Sequence, residues 1–226
     1  MGKEMVIAID GPAASGKSTT AKLVAQKLGY LYIDTGAMYR AMALKAFQDN
    51  ISLNDIDAVS RMVESTVINQ KPGPDGVQTL LDGRDVSLEI RTPEMSKAAS
   101  DISAISTVRK RLVKLQQDMG RQGGVVMEGR DITTVVFPDA DIKVFMKAGI
   151  SQRAQRRMDE LKTKGAECSL EDIEKQIAER DAQDSQRADS PLTCTPDSLV
   201  IDTSTLSIEQ QMEQVLEAVR QKAGIA

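Results

Sequence analysis

MVIAIDGPAASGKST, residues 5–19, joins five apolar residues to a glycine-rich segment that ends in a lysine and two hydroxyl residues. The apolar run is typical of a buried parallel strand. Residues 11–18 fit the pattern G-x-x-x-x-G-K-S/T, whose glycines let successive backbone N–H groups surround a phosphate. A helical pattern follows over residues 17–28, and its start adds the positive end of a helix dipole. The stretch therefore predicts a phosphate-binding loop between a strand and a helix.

Two side chains of this loop have a direct part in binding a nucleoside triphosphate. Lys17 can reach the β- and γ-phosphates, and the Ser18 hydroxyl can hold Mg²⁺, which makes Ser18 the predicted metal ligand. A chance glycine loop is the competing interpretation, but the strand and helix patterns on either side argue against it. The predicted nucleotide-binding residues are Gly11, Pro12, Ala13, Ala14, Ser15, Gly16, Lys17, Ser18 and Thr19.

Outward from this loop, strand and helix patterns alternate as they do in a doubly wound α/β sheet. Further core strands are predicted at residues 30–33, 125–127, 142–145 and 199–201. Residues 67–90 differ, because Asp82-Gly83 favours a tight hairpin between two short runs. The predicted fold class is therefore α/β, with a parallel sheet flanked by helices and a small antiparallel insert.

Composition narrows the class of protein. The 226 residues suit one α/β core with insertions, and the 41% apolar content suits a sizeable core. The net charge of −4 and 3% aromatic content predict no nucleic-acid surface and no membrane surface. The chain has no histidine, which excludes catalytic triads that use histidine and metal sites with histidine ligands. Cys168 and Cys194 are expected to be free thiols, and with no signal peptide or long apolar run this predicts a cytoplasmic protein.

Two other classes of nucleotide-binding protein fit the sequence less well. A regulatory GTPase would carry N-K-x-D and D-x-x-G motifs, and neither is present. A mechanical ATPase needs a second acidic motif after an apolar strand, for which Glu128 is the candidate. Arg130 follows Glu128 almost at once, and an arginine there is more natural beside the phosphate of a second substrate.

Arginines are placed where folding should gather them around one cleft, as phosphoryl transfer requires. Arg130 follows a predicted core strand, where ligands bind in open α/β sheets. Arg180 and Asp184 continue the apolar stripe of a helix, where charges are costly unless they are paired or bound to a ligand. A structural ion pair, or a stripe that has left the core, remains the alternative for Arg180. The arginines on the preceding helix could equally form a solvated face; they are Arg153, Arg156 and Arg157.

Five segments resemble those of bacterial-type cytidylate kinases, a family of P-loop nucleoside monophosphate kinases, and the resemblance covers nearly the whole chain. The segments are IDGPAASGKS (9–18), DTGAMYR (34–40), GRDVSLEIR (83–91), EGRDITTVVFP (128–138) and QRADSPL (186–192). The first is shared with many kinases, whereas the second and fourth together are specific.

The resemblance implies a P-loop kinase core, an antiparallel insert and a helical lid. The core would comprise residues 1–35 and 92–226, with the lid at about 150–190, and the acceptor-binding region would comprise residues 36–91. It also implies ATP with Mg²⁺ as donor, CMP and dCMP as acceptors, and a monomer.

The resemblance further implies a role for each site residue. Arg40 and Arg130 would grip the acceptor phosphate, Asp184 would meet the ribose, and Arg187 would bridge the phosphates. The residues implied in catalysis are Lys17, Arg130, Arg187, Arg156 and Arg157. The residues implied in substrate binding are Asp34, Thr35, Arg40, Ser100, Arg109, Arg130, Asp131, Arg180, Asp184 and Arg187.

Cytosine chemistry suits three of these residues. Asp131 can accept from the N4 amino group, while Arg109 and Ser100 can donate to N3 and O2. Uracil places a carbonyl where cytosine has its amino group, so the carboxylate would disfavour it. Ser100 could instead be an ordinary polar helix residue, and Arg109 could be a surface charge.

One residue departs from the family pattern. Thr133 stands where the family pattern has glycine, and threonine would be strained if this backbone needed a positive φ. Two alternatives to the main prediction stay open: a kinase for another acceptor such as UMP or AMP, and a nucleotide-dependent module without kinase activity.

Overall fold

A five-stranded parallel sheet forms the centre of the part that the computed structural model describes, residues 4–73, 76–163 and 169–224. Its strands are β1 (Val6–Asp10), β2 (Leu31–Asp34), β6 (Val125–Gly129), β7 (Ile142–Lys147) and β8 (Leu199–Asp202). Their order is β2-β6-β1-β7-β8, so β1 lies in the middle. This arrangement confirms the predicted α/β class, and each of the four further predicted strands begins and ends within two residues of its expected position.

Helices cover both faces of this sheet. They are α1 (Lys17–Leu28), α2 (Thr35–Gln48), α3 (Ile56–Ser65), α4 (Pro93–Ile102), α5 (Ser106–Gly120), α6 (Ile150–Thr163), α7 (Leu170–Gln186) and α8 (Ile208–Ala223). A π-helical turn over Ile132–Val136 follows β6. Helix α1 ends, as predicted, at Gly29, which adopts a left-handed conformation with φ 69°.

The alternating side chains of β1 divide the core between two hydrophobic clusters. Ala8 packs with α2 to α5 on one face, in a cluster that includes Met42 and Leu112. Ile7 and Ile9 pack on the other face, in a cluster with α1 and α8. The core is aliphatic and rich in methionine, as the scarcity of aromatic residues predicts.

The predicted antiparallel insert consists of β3 (Ile68–Gly73), β4 (Gly76–Leu81) and β5 (Arg84–Asp85). The tight turn between β4 and β5 falls at Asp82-Gly83, where φ is 49° and 83°. Positive φ at both positions is what a two-residue hairpin turn favours. Buried Gln70 joins the insert to the core, because its amide accepts from Asp34 N (2.9 Å) and donates to Asp34 O (2.8 Å).

Helices α6 and α7 pack on each other through a small apolar cluster of their own. Its buried members are Ala154, Leu161, Ile173 and Ile177. This pair corresponds to the segment predicted as a lid. Cys194 is an exposed free thiol, while Cys168 lies outside the described residues.

Candidate active site

The glycine-rich loop leaves the end of the central strand and runs into α1. Gly11 has φ 150°, and a Cβ there would collide with the carbonyl oxygen of Met146 on the next strand. Gly16 has φ 93° and forms the N-terminal cap of α1. These two glycines therefore allow the close backbone approach and the left-handed turn that the loop requires. All nine predicted nucleotide-binding residues lie in this loop and the first turn of α1.

Lys17 is buried within the loop that it follows. Its Nζ donates to the carbonyl oxygen of Pro12 (2.7 Å) and lies 3.4 Å from Ser15 Oγ. Burial, and after it the charge of Arg130, lowers the pKa of Lys17 to about 7. The charge of Arg130 thus acts on Lys17, although 113 residues separate them in sequence (130 − 17).

A carboxylate and two hydroxyl groups meet beside the loop. Ser18 Oγ donates to Glu128 Oε1, and Tyr32 OH donates to the same oxygen (2.9 Å). The hydroxyl of Thr35 donates to the backbone carbonyl of Glu128 (2.7 Å). Carboxylate and hydroxyl oxygens are the ligand types that Mg²⁺ prefers, so Ser18 and Glu128 fit a magnesium ion. The sequence signal for Glu128 was an acidic residue after an apolar strand, and no pattern indicated Tyr32.

Arg130 and Arg187 meet at one carboxylate on the last turn of α7. Arg130 Nε donates to Asp184 Oδ2 (2.8 Å), and Arg187 Nη1 lies 3.6 Å from Asp184 Oδ1. Burial pushes the pKa of Asp184 upward, but the charges of Arg130 and Arg180 outweigh burial and hold this pKa below its usual value. The predicted stripe thus brings Arg180 and Asp184 into the cluster rather than onto the surface.

Two further arginines, Arg40 and Arg180, belong to the same cluster as Arg130 and Asp184. Burial, and then repulsion by Arg130, lowers the pKa of Arg180 to about 10, with Arg40 and Arg157 acting in the same direction. Arg40 Nη2 contacts Asp34 Oδ2 at 3.1 Å. Among the described residues, the Nε atoms of Arg40 and Arg180 are buried without a hydrogen-bond partner. Donors of this kind, crowded together, suit a polyanionic ligand.

Two of the three residues predicted to read a base, Arg109 and Asp131, are paired with each other. Arg109 Nη2 donates to Asp131 Oδ2, both side chains are buried, and the guanidinium lies 5.7 Å from the centre of the Tyr39 ring. Burial, and after it the charge of Asp131, raises the pKa of Tyr39. Arg109 is therefore not a surface charge.

A cavity of about 360 Å³ opens beside this pair. Arg109 lines it together with Gln183 from the last turn of α7 and Arg187, which follows that helix. Ser100 on α4 contacts Gln183, since Ser100 Oγ donates to Gln183 Oε1 (2.7 Å). No pattern in the sequence singled out Gln183, which lies on the exposed side of its helix.

Two of the three arginines of α6, Arg153 and Arg156, do not lie on the solvated face offered as their alternative. Arg153 is buried, pairs with Asp181 (2.6 Å) and donates to the carbonyl oxygen of Ala13 in the loop (3.3 Å). Arg156 donates to both oxygens of Thr203, at 3.0 Å to Oγ1. Arg157 forms an ion pair with Glu160 (2.7 Å). Arg153 and Arg156 thus connect α6 to the phosphate loop and to Thr203, while the charge of Arg157 acts on Arg180.

Asp34 and Thr35 occupy the start of α2. Asp34 Oδ1 caps this helix by accepting from Ala37 N (2.8 Å). The backbone at Thr133 needs no positive φ, so the condition for strain is not met: within the described ranges, positive φ at residues other than glycine occurs only at Ala14, Asn50, Asp82 and Ser190. Thr133 instead lies buried in the π-helical turn.

A strand, phosphate loop and helix, with a hydroxyl–carboxylate pair beside the loop and a cluster of arginines around Asp184, define a P-loop kinase. Solved structures agree on the fold. A gluconokinase from Sinorhizobium meliloti superimposes with a TM-score of 0.50 at 12% identity, covering 98% of this chain and 94% of that one.

Sequence comparisons are more specific. The family model described as cytidylate kinase matches residues 7–221. A cytidylate kinase from Caldicellulosiruptor saccharolyticus is 47% identical over 215 residues, 95% of each chain. A cytidylate kinase from Bacillus subtilis is 46% identical over 223 residues, 99% of this chain and all of that one. The chain belongs to the cytidylate kinase family, and it is a phosphotransferase.

Proposed function

We propose that this protein transfers the γ-phosphoryl group of ATP to CMP and dCMP. The observation that supports the proposal is that Arg130 and Arg187 both contact Asp184, at 2.8 Å and 3.6 Å, while the charge of Arg130 acts on Lys17 and, together with that of Arg40, on Arg180. Two anionic substrates repel each other, and a cleft rich in guanidinium groups offsets that repulsion. Membership of the cytidylate kinase family supports cytosine as the base.

The donor site is proposed at the glycine-rich loop. Backbone N–H groups of residues 13–19 would surround the phosphates of ATP, and Lys17 would leave its contact with Pro12 to reach the β- and γ-phosphates. Ser18 and Glu128 would hold Mg²⁺, which, when bound, neutralises charge on the phosphates.

The acceptor site is proposed between α2, β6 and the lid. Arg40 and Arg130 would bind the CMP phosphate, with Asp34 and Thr35 shaping this end of the pocket. Ser100, Arg109 and Asp131 would read the cytosine edge, Asp184 would meet the ribose, and Arg187 would bridge the two phosphates. Their present contacts, such as Ser100 with Gln183, would be exchanged for contacts with the substrate.

Transfer is proposed to be direct and in line. A phosphate monoester dianion is a competent nucleophile, so no general base is needed and the absence of histidine is no obstacle. Lys17, Arg130, Arg187 and the lid arginines Arg156 and Arg157 would offset the charge that develops on the transferred group. Closing α6 and α7 over the cleft would exclude water, which could otherwise accept the phosphoryl group.

We also propose the division into a core (1–35 and 92–226) with its lid at about 150–190, and an acceptor-binding region (36–91), acting as a cytoplasmic monomer. The separate apolar cluster of α6 and α7 supports movement of the lid as a unit. In the described ranges 4–73, 76–163 and 169–224, no helix is long and apolar enough to cross a bilayer.

The direct test is a coupled assay of ADP release with CMP, dCMP, UMP and AMP as acceptors. We expect CMP and dCMP to be phosphorylated much faster than UMP, because Asp131 disfavours the carbonyl that uracil has in place of the 4-amino group of cytosine. Faster turnover with UMP or AMP would show a kinase for another acceptor. ATP turnover that is independent of any monophosphate would contradict the proposal altogether.

Proton uptake on binding ATP reports the state of Lys17. Its pKa is lowered to about 7 in the free protein, so at about pH 8 it is mostly neutral. A bound triphosphate raises this pKa, so Lys17 should take up about one proton when ATP binds at that pH. Calorimetry of Mg²⁺-ATP binding in two buffers with different ionisation enthalpies measures this number. Lys17→Arg should show no uptake, since its guanidinium stays charged; equal uptake by both proteins would refute the assignment.

A further inference from the structure

Asp10 is the last residue of β1 and directly precedes Gly11, the first residue of the phosphate loop. Its side chain is completely buried. In the sheet, Asp10 lies in register with Gly129 at the end of the neighbouring strand β6. It therefore stands between the start of the donor loop and the segment that carries the proposed acceptor-binding residues.

The carboxylate of Asp10 holds the segment that follows β6. Oδ1 accepts from Ile132 N (3.0 Å), and Oδ2 accepts from Thr133 N and Thr133 Oγ1 (both 2.7 Å). Burial nonetheless raises the pKa of Asp10 to about 6, because a charged carboxylate loses its hydration here. Keeping a carboxyl group at this position therefore costs folding free energy. These bonds by themselves could serve only to anchor the π-helical turn. Asp10 differs from a simple anchor because it directly precedes the phosphate loop, so the turn is bound to the residue from which that loop starts.

Only two residues, Arg130 and Asp131, lie between the points where this segment is fixed. Gly129 is held by the sheet, and Ile132 is held by Asp10. Arg130 then reaches Asp184, and Asp131 reaches Arg109. With both ends fixed, these two side chains have few backbone conformations available. Misplacement by about 1 Å can lower a rate by about 10²-fold.

We infer that Asp10 is a positioning residue for phosphoryl transfer: its carboxylate, by binding Ile132 and Thr133, sets Arg130 and Asp131 in register with the phosphate loop. The inference rests on the proposed function. Thr133 contributes through its hydroxyl, so the residue that departs from the family pattern supplies a third hydrogen bond to the carboxylate.

The test compares Asp10→Asn, Thr133→Val and Thr133→Ser with the wild-type protein. Measurements are kcat/KM for CMP and for UMP, KM for ATP, and the melting temperature. For Asp10→Asn we expect kcat/KM for CMP to fall by about 10²-fold and the CMP/UMP ratio to fall by about tenfold, with KM for ATP changing little. Thr133→Val should show a smaller loss of the same kind, and Thr133→Ser should restore it.

Asp141→Asn is the matched control, because Asp141 also accepts a backbone N–H from β1, at Val6 (2.9 Å) and at the opposite end of the strand. It should leave the CMP/UMP ratio unchanged. A lowered melting temperature with an unchanged ratio in Asp10→Asn would reduce Asp10 to a structural anchor and overturn the inference. If Asp10→Asn does not fold, the Thr133 pair decides: equal ratios in Thr133→Val and Thr133→Ser overturn it. Failure of the wild-type protein to phosphorylate CMP would instead refute the proposed function.

Discussion

Lys17→Met is expected to lower kcat by about 10³-fold while the fold survives. Methionine has nearly the same shape as lysine but cannot offset the charge of the transferred phosphoryl group. Stability should not suffer, because the lysine is buried, its pKa is lowered by that burial, and an apolar replacement removes a desolvated charge. The coupled assay measures the rate, and thermal unfolding measures stability.

Lys27→Met is the matched control for this prediction. Lys27 lies on the same helix, in its last turn and exposed to solvent. Its replacement should leave kcat within about twofold of the wild-type value, as surface substitutions usually do. A fully active Lys17→Met protein would refute the assignment of Lys17.

Arg130→Met is expected to lower kcat/KM for CMP by about 10³-fold, with a much smaller effect on KM for ATP. Arg130 pairs with Asp184, and its charge acts on Lys17, which fits the proposed role at the acceptor phosphate. The ammonium group of lysine carries the same charge as a guanidinium but lacks its planar fork of donors. Arg130→Lys should therefore lose less activity than Arg130→Met but remain below the wild-type value.

Folding must be checked separately for this variant, because Arg130→Met removes one partner of a buried ion pair. Such a loss can destabilise a protein by about 3–5 kcal/mol. Arg121→Met serves as the control, since Arg121 pairs with Asp118 at a surface where its side chain is 78% exposed. Equal effects on CMP and ATP kinetics, at unchanged stability, would count against a role at the acceptor phosphate.

Local patterns predicted the elements of this fold well. The phosphate loop was recognisable because its glycines, lysine and serine stand at fixed positions between a strand and a helix. The turn at Asp82-Gly83 was predictable for the same reason, since a two-residue hairpin restricts which residues fit. Each of these signals lies within a few consecutive residues.

Contacts between distant segments were harder to predict. Asp184 could be placed on an apolar stripe, but its contact with Arg130, 54 residues away, depends on how α7 is positioned relative to the end of β6. Glu128 was visible as an acidic residue after a strand, yet its pairing with Ser18 follows from β6 lying beside β1. The order of the strands in the sheet cannot be deduced from any one of them.

Arg153 shows a different limit. Charged residues on a helix usually face solvent, and nothing nearby in the sequence marks this one as an exception. It is buried because Asp181 on the next helix and carbonyl oxygens of residues 13 and 148 satisfy its guanidinium. Burial of a charge is decided by the groups around it, and these come from several parts of the chain.

Gln70 has a consequence for how the antiparallel insert can change during evolution. Its amide group serves as the hydrogen-bonding neighbour of Asp34 at the edge strand β2. Deleting the insert would remove the hydrogen bonds that Gln70 makes with the backbone N–H and C=O of Asp34. The side chain of this same residue caps α2 and contacts Arg40. The insert is thus no detachable module: a lineage that shortened it would have to supply a new partner for the Asp34 backbone at the same time.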